Sequence, residues 1–339
     1  MAGAEDHVPE IEQSLSEYLG SRPNLKYVFF GGKGGVGKTV MAGATALQLA
    51  RQGHKVLVFS VDPQASLSDI FQRDIFGKGP VEILDNLWAQ EIDADSNIKA
   101  YQQEVRQKIL DMYGFDQIPE EIEHYIQAAS AEPAMEESAI FDAVVDIVVK
   151  GDYDYYIYDL VPLGHALYYL SMAKVYDEWI NRITELREQM REHEEMVARI
   201  KRQKVTEEDQ ILHELQYIKG RINQSSRILT DKERTAFFFV LVPEQMIILD
   251  TEKAAQLFAR FDVPIAGYIV NRILPAELAG QQLPPYLQNR LQVQDRHLDE
   301  IKKTFGSRLV GSVPELERDV TGLPMIEKLA AIMYGDGGR

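Results

Sequence analysis

The sequence contains no cysteine among its 339 residues. A chain without thiols forms no disulfide bonds, and it offers no thiolate ligands to zinc, to an iron–sulfur cluster or to a soft metal. Electron transfer through a protein-bound cluster is thereby excluded. Ten methionines supply the only sulfur, and their thioethers are weak ligands for a thiophilic metalloid oxyanion.

Long hydrophobic runs and an excess of basic residues are also missing. No run of about eighteen apolar residues occurs, and the first residues (MAGAEDHVPEIEQSL) are polar and acidic, so neither a membrane span nor a signal peptide is predicted. We expect a cytoplasmic protein that does not insert into a membrane and becomes peripheral to one only through a partner. The net charge of −17 argues against nucleic-acid partners, which require clustered Lys and Arg.

A glycine-rich segment, GGKGGVGKT at residues 31–39, is the most informative stretch that is present. It holds the phosphate-loop pattern G-x-x-x-x-G-K-[ST], between an apolar run at Lys26–Phe30 and a helical pattern at Val40–Arg51. Backbone N–H groups in such a loop surround phosphates, and the following helix directs its positive end at them. The segment predicts a nucleoside triphosphatase. The nucleotide-binding residues predicted from this segment are Gly32, Gly34, Gly35, Val36, Gly37, Lys38, Thr39 and Val40.

Two side chains of this loop have specific predicted roles. Lys38 would reach the β- and γ-phosphates of the nucleotide, and the Thr39 hydroxyl would complete the coordination shell of Mg²⁺. An additional lysine, Lys33, stands early in the loop. The sequence therefore predicts ATP or ADP with Mg²⁺ as its ligands.

Short apolar runs alternate with helical patterns along much of the chain. Near-continuous apolar strands of this kind indicate a mostly parallel sheet covered on both faces, that is, a doubly wound α/β fold. Ligands of such folds bind at the carboxyl ends of the strands, where the phosphate loop, Asp62 and Asp159 are predicted to lie. The other predicted strands are Lys55–Val61, Tyr153–Leu160, Ala236–Val242, Ile265–Asn271 and Arg308–Val313.

Two stretches depart from this alternation and are predicted to be helical throughout. Asp95–Met135 and Trp179–Asp231 would form a helical subdomain inserted into the ATPase core. The predicted division is residues 1–24 for an N-terminal helix and lead-in, 25–94, 136–178 and 232–339 for the core, and 95–135 and 179–231 for the subdomain.

The second helical stretch carries a narrow apolar seam, which predicts an antiparallel hairpin with coiled-coil-like packing. Thr206, followed by acidic residues, is a predicted N-cap for its second arm. The pattern leaves open whether the hairpin projects to a partner or packs on its own core. The seam residues are Ile183, Leu186, Met190, His193, Val197 and Ile200, then Ile211, Leu215, Ile218 and Ile222.

Three motifs together give the sequence a specific resemblance. GKGGVGKT, SVDPQASLSDIF at 60–71 and DLVPLGHALYYLSM at 159–172 resemble the corresponding motifs of the ArsA family of ATPases. The similarity continues through LVPEQMIILDTEKAAQLF at 241–258, VNRILP at 270–275 and SVPELERDVTGL at 312–323. That family includes the ATPases that energise arsenite efflux pumps and the cytosolic factors that deliver tail-anchored membrane proteins.

The resemblance implies a dimer whose two nucleotide sites face each other. Lys33 would then act across the interface on the partner's phosphates, and Asp62 would position the attacking water. Asp62 and Asp159 would join Thr39 around Mg²⁺, partly through water. An alternative for Asp62 is a helix N-cap in the SVDPQ turn. The implied adenine pocket consists of Asn271, Arg272, Pro314, Glu315 and Leu316.

Departures from the family pattern bear on the client. Gln282–His297 replaces the segment where many relatives carry a zinc-binding Cys-x-x-Cys pair, and Ala134 stands near a position where arsenite efflux relatives carry a thiolate. The motif that begins at Asp159 resembles the family's switch II but differs from its usual residues at Leu160, Val161, Leu163 and Ala166.

The leading hypothesis is a homodimeric or heterodimeric ATPase that energises or regulates an arsenite or antimonite efflux transporter. The alternative is a targeting factor for tail-anchored proteins.

Overall fold

The computed structural model describes residues 11–61, 66–113, 143–160, 181–186, 189, 210–275, 277–278 and 281–335. These residues form two compact units. The first comprises the described residues up to Asp93, those from Gly151 to Leu160 and those from Thr230 onward. The second comprises the described residues from Ala94 to Lys150 and from 181 to Leu229.

The first unit is built on an 8-stranded sheet with the strand order β3-β4-β2-β5-β1-β6-β7-β8. All neighbouring strands are parallel except β3 and β4, which pair antiparallel. The α/β fold with a mostly parallel sheet is therefore confirmed. The strands are β1 Tyr27–Gly31, β2 Val56–Ser60, β3 Val81–Leu84, β4 Leu87–Glu91, β5 Tyr155–Asp159, β6 Thr235–Leu241, β7 Ile265–Ile273 and β8 Leu309–Pro314.

Helices connect most of the parallel strands, as the alternation of apolar runs predicts. Where helices cover both faces, strands become apolar along their whole length, and every residue of β1, β2 and β6 is buried. The helices with defined bounds are α1 Leu15–Gly20, α2 Lys38–Arg51, α3 Ser66–Phe71, α4 Ala94–Tyr113, α5 Gln210–Thr230, α6 Gln245–Arg260, α7 Pro285–Phe305 and α8 Leu323–Tyr334.

The six strands predicted from apolar runs are all present, with ends within about two residues of the prediction. β3 and β4 are additions that the apolar pattern did not indicate. They form a hairpin around Asp85 and Asn86, and Asn86 turns the chain with a φ of 67°. β4 alternates buried and half-buried residues because it lies towards the edge of the sheet, so it lacks the continuous apolar character of the central strands.

One face of the sheet carries a row of aromatic side chains that crosses four strands. Phe59 of β2 stacks on Tyr158 of β5 with ring centroids 4.7 Å apart, and Phe29 of β1 stacks on Phe237 of β6 at 4.3 Å. Phe29 and Tyr158 meet edge to face at 5.6 Å, which joins the two pairs. Each aromatic pair adds about 0.5–1.5 kcal/mol beyond the burial of its surface. The row therefore supports the central register of the sheet.

The carboxyl ends of the central strands come together at a topological switch point. The connection that leaves β1 leads towards β2 on one side, and the connection that leaves β6 leads towards β7 on the other side. Crevices at such points are the usual ligand sites of open α/β sheets. Asp159, at the end of β5, pairs with Phe30, so its carboxylate lies beside the start of the glycine-rich loop.

The second unit is helical where it is described. Besides α4 and α5, residues 143–150 are helical. Residues 143–150 lie in the second unit, where Arg221 of α5 pairs with Asp146. The division of the chain into an ATPase core and a helical subdomain stays a prediction.

Parts of the predicted hairpin arms are described, and the Lys219 side chain bonds to that of Asn181. The antiparallel arrangement of the arms stays a prediction. Leu186, a predicted seam residue, is 55% exposed. Thr206 and the seam from Met190 to Ile200 lie outside the described residues. Within the described part of the chain, no helix has the length and apolar character to cross a membrane.

Candidate nucleotide-binding site

The glycine-rich loop joins β1 to α2, and two of its glycines are required by their surroundings. Gly32 has a φ of 148°, and a Cβ at this position would lie 2.4 Å from the Val240 carbonyl oxygen of β6. Gly37, the N-cap of α2, has a φ of 102°, and its Cβ would lie 2.4 Å from Asn271 Nδ2. The backbone can therefore curve beneath an anion only because both side chains are absent.

Substitution of Gly37 by alanine is expected to weaken ATP binding at least tenfold, by about 1.4 kcal/mol or more. Alanine would adopt a strained φ and would displace Asn271, so the loop would lose its shape. Titration with a fluorescent ATP analogue measures the affinity. Gly53→Ala is a matched control, because Gly53 also has a positive φ of 93° but its Cβ would meet nothing within 4 Å. Wild-type affinity in the Gly37 variant would contradict this account.

The two lysines of the loop occupy different environments. Lys38 begins α2 and donates a hydrogen bond to the Lys33 carbonyl oxygen at 3.3 Å, so its ammonium group lies over the loop. The Lys33 side chain is 47% exposed and forms an ion pair with Asp250 of α6, with 2.8 Å between Nζ and Oδ2. The hydrogen bond from the Lys33 ammonium lowers the pKa of the Asp250 carboxyl. The Lys38 side chain thus lies over the loop backbone, whereas the Lys33 side chain is directed to the surface.

Thr39 and Asp159 are brought together as the sequence predicts. The Thr39 hydroxyl donates a 2.5 Å hydrogen bond to Asp159 Oδ2, and Asp159 is buried. Burial of the neighbouring Tyr158 raises the pKa of its phenol, and the Asp159 charge raises it further. Hydroxyl and carboxylate oxygens are the ligands that Mg²⁺ prefers, so this pair fits that ion directly or through water.

Asn271 lies against the loop itself. Its side-chain amide donates a 2.8 Å hydrogen bond to the Val36 carbonyl oxygen and accepts one from the Arg272 N–H at 2.9 Å. Arg272 has a φ of 58°, a left-handed conformation that is uncommon outside glycine. Asn271 was predicted from the resemblance as an adenine-pocket residue. The structure adds a direct bond to the loop backbone, and the adenine contact stays a prediction.

The two segments predicted to form the adenine pocket are adjacent. The Glu315 N–H donates a 2.8 Å hydrogen bond to the Ile273 carbonyl oxygen, so the end of β7 meets the end of β8. Pro314 and Glu315 are exposed, and Leu316 is half-buried. Gln294 of α7, which the sequence reasoning missed, accepts a 2.8 Å hydrogen bond from the Leu274 N–H. A buried glutamine thus holds the loop that follows Asn271 and Arg272.

Asp62 lies outside the described residues, but the chain on either side of it is well defined. β2 ends at Ser60 and α3 begins at Ser66. The carboxylate of Glu91, the last residue of β4, accepts hydrogen bonds from the Leu67 and Ser68 N–H groups. Sequence reasoning missed Glu91, because an acidic residue after LWAQ gives no sign that it will be buried.

Exposed apolar residues lie on α6, which carries Asp250 of the ion pair, and on α7. Met246 and Leu249 share a face of α6 with Asp250, because positions i, i+3 and i+4 of a helix lie together. Tyr286 and Val293 are exposed on α7. The two helices are bonded through Gln245 and Glu300 at 3.0 Å. We call these four apolar residues the α6–α7 surface.

A glycine loop between a buried parallel strand and a helix, with a lysine, a threonine and a buried aspartate around it, defines a phosphate-loop nucleoside triphosphatase. The comparisons with known proteins are more specific. The profile of the anion-transporting ATPases matches residues 25–335. The chain therefore belongs to the ArsA family of anion-transporting ATPases.

Individual relatives cover nearly the whole chain. It is 31% identical to "Putative arsenical pump-driving ATPase 1" of Aquifex aeolicus, over 92% of this chain and 79% of that protein. It is 30% identical to "Putative arsenical pump-driving ATPase 2" of the same organism, over 91% of this chain and 99% of that protein. It is 27% identical to "ATPase GET3A" of Arabidopsis thaliana, over 94% of this chain and 86% of that protein.

Proposed function

We propose that this protein is a dimeric ATPase that energises or regulates an arsenite or antimonite efflux transporter. The observation that carries the ATPase assignment is the loop itself, in which Lys38 lies over the backbone and the Thr39 hydroxyl meets the buried Asp159. The relatives with 30% and 31% identity, both named as arsenical pump-driving ATPases, support the transporter role. The second candidate function is the targeting of tail-anchored proteins, and the similarity to the protein named ATPase GET3A supports it.

Hydrolysis of ATP requires charge neutralisation and an oriented water more than covalent catalysis. The loop N–H groups and Lys38 would bind the β- and γ-phosphates and hold the chain in line for attack. Mg²⁺ held by Thr39 and Asp159 would neutralise phosphate charge. Asp62 would orient the water and accept its proton as the bond from the γ-phosphorus to the bridging oxygen breaks.

The alternative for Asp62 is an N-cap in the SVDPQ turn. An N-cap side chain accepts hydrogen bonds from the second or third N–H that follows it, here from Gln64 or Ala65. These residues lie outside the described part of the chain, as does Asp62. The proposed catalytic role is supported by the family resemblance and by the place of Asp62 just after the carboxyl end of β2.

The position of Lys33 supports dimerisation with a second copy of this chain. Its ammonium group extends to the surface, where Met246 and Leu249 flank its partner Asp250. A lysine that completes a partner's site has to be accessible, and exposed apolar residues around it mark an interaction surface. The pairing partner would therefore meet the α6–α7 surface, and Lys33 would exchange Asp250 for the partner's phosphates.

Substitution of Asp250 by asparagine is expected to raise ATP turnover by up to about fivefold. The increase is expected at protein concentrations below the one that gives half of the maximal turnover per chain. Exposed ion pairs are weak, so Lys33 can leave Asp250 at little cost. The ion pair nevertheless competes with the insertion of Lys33 into the partner's site. Turnover is measured against protein concentration. Asp74→Asn, which breaks the exposed Lys78–Asp74 pair, is the control. Unchanged or lower turnover in the Asp250 variant would contradict the competition.

The client is tested by ATP turnover in the presence of arsenite, antimonite or a tail-anchor helix peptide, each with and without candidate membrane partners. Stimulation by a metalloid only with a cysteine-bearing partner supports the transporter role, because this chain has no thiolate of its own. Tight binding of the peptide without a metalloid response would favour the targeting role. Absence of ATP turnover in all conditions would overturn the ATPase assignment itself.

A further inference from the structure

Glu91 is a fully buried carboxylate, and its side-chain hydrogen bonds to described residues lead to one short segment. Its side chain accepts from the Leu67 N–H at 2.5 Å and from the Ser68 N–H at 3.0 Å, and the Ser68 hydroxyl also bonds to it. Its exposure is 0%. A buried carboxylate is costly unless several donors satisfy it, and here the donors are the first turn of α3. Glu91 therefore fixes the start of that helix.

The same strand end also holds the chain before Asp62. The Ile92 N–H donates a 2.9 Å hydrogen bond to the Ser60 carbonyl oxygen, which fixes the end of β2. Ser60, before residues 62–65, is thus bonded to Ile92, and Leu67 and Ser68, after them, are bonded to Glu91. Ser68 extends the network, because its hydroxyl accepts from the Ile75 N–H at 3.2 Å. The described residues on both sides of Asp62 are therefore bonded to the end of β4 or to the residue after it.

We propose that Glu91 is a positioning residue for ATP hydrolysis, which acts through the first turn of α3 on Asp62. The proposal rests on the proposed function, in which Asp62 orients the attacking water. The described hydrogen bonds of the Glu91 side chain go to Leu67 and Ser68, so the role assigned to Glu91 is one of positioning. A change at Glu91 would then lower the rate of the catalytic step and leave the affinity for ATP unchanged.

The test is Glu91→Gln, which keeps the size of the side chain but replaces one acceptor oxygen with an amide donor that faces N–H groups. We expect kcat to fall about tenfold or more, because small displacements of a catalytic group have large effects on rate. The dissociation constant of a fluorescent ATP analogue should stay within about twofold of the wild-type value. Turnover is expressed per folded protein, at a temperature well below the melting temperature of the variant.

A matched control separates positioning from stability. Thr45 is also fully buried, and its hydroxyl accepts a 2.7 Å hydrogen bond from Tyr334. Thr45→Val should lower the melting temperature and leave kcat unchanged. If Glu91→Gln lowers the melting temperature but not kcat, Glu91 is structural only and the inference is overturned. Should the Glu91 variant fail to fold, Ser68→Ala removes a single donor, and a fall in kcat of a few fold is expected from it.

A double variant gives a readout that a structural role would not move. If Glu91 acts through Asp62, then Asp62→Asn with Glu91→Gln should be no slower than Asp62→Asn alone, since effects of residues that act as a unit are not additive. Additive losses would overturn the inference. Wild-type turnover is measured first. Its absence would overturn the proposed function and this inference with it. Normal turnover in both the wild type and Glu91→Gln would overturn the inference alone.

Discussion

Substitution of Lys33 by alanine is expected to lower kcat for ATP hydrolysis by about three orders of magnitude, with little change in the affinity for ATP. A cation supplied to the phosphates from a partner subunit stabilises charge that develops only in the transition state, and such groups are worth about 10³-fold or more. Lys38 remains to bind the ground-state phosphates. Steady-state turnover and titration with a fluorescent ATP analogue measure the two quantities.

Lys78→Ala is the matched control, because Lys78 is also an exposed lysine in an ion pair, 2.5 Å from Asp74. Its turnover should equal that of the wild type. Mixing tests whether Lys33 acts across the interface. Lys33→Ala mixed in equal amounts with Asp62→Ala should recover about a quarter of wild-type turnover, because half of the random dimers are mixed and each has one complete site. No recovery would place Lys33 in its own chain's site, and full activity of Lys33→Ala alone would remove the role altogether.

Substitution of Asp62 by asparagine is expected to lower kcat by about 10²- to 10⁴-fold, the range that a positioned general base contributes. Asparagine keeps the shape of the side chain and loses the charge that orients water and accepts its proton. The melting temperature should change little, because the first turn of α3 bonds to Glu91.

Asp69→Asn, an exposed change on α3 itself, is the control for Asp62. Its turnover should stay at the wild-type level. A tight complex of Asp62→Asn with ATP that turns over slowly is the expected state, and it can be detected by the retention of labelled ATP on the protein. Unchanged turnover in Asp62→Asn would return that residue to the role of a helix cap and would leave the attacking water without an assigned base.

The predictability of the fold follows from burial. The strand runs at β1, β2 and β6 are apolar because both faces of a parallel sheet are covered, and this is a pattern that a single sequence displays. β3 and β4 lie at the other extreme, since an edge hairpin is only partly covered and its half-buried residues resemble those of a loop. The helix α2 was visible because apolar residues recur through it and are buried in the structure.

The site was predictable where its chemistry is local. Lys38 and Thr39 follow from a pattern of eight residues, and Asp159 follows from its place at the end of an apolar run. Glu91 and the Lys33–Asp250 pair were not predictable in this way. They depend on which elements become neighbours in the sheet, and Lys33 and Asp250 are 217 positions apart in the chain. Contacts of that kind leave no periodic signal in the sequence.

The aromatic row that crosses β2, β5, β1 and β6 also sets a distance in the site. Tyr158 belongs to that row, and the next residue is Asp159. Because neighbouring residues of a strand point to opposite faces, a slip of one position would turn Tyr158 out of the row and move Asp159 by about 3.3 Å. That displacement exceeds the 2.5 Å between Thr39 Oγ1 and Asp159 Oδ2. Packing among rings that never touch the nucleotide thus holds two oxygens of the proposed ion-binding pair at bonding range.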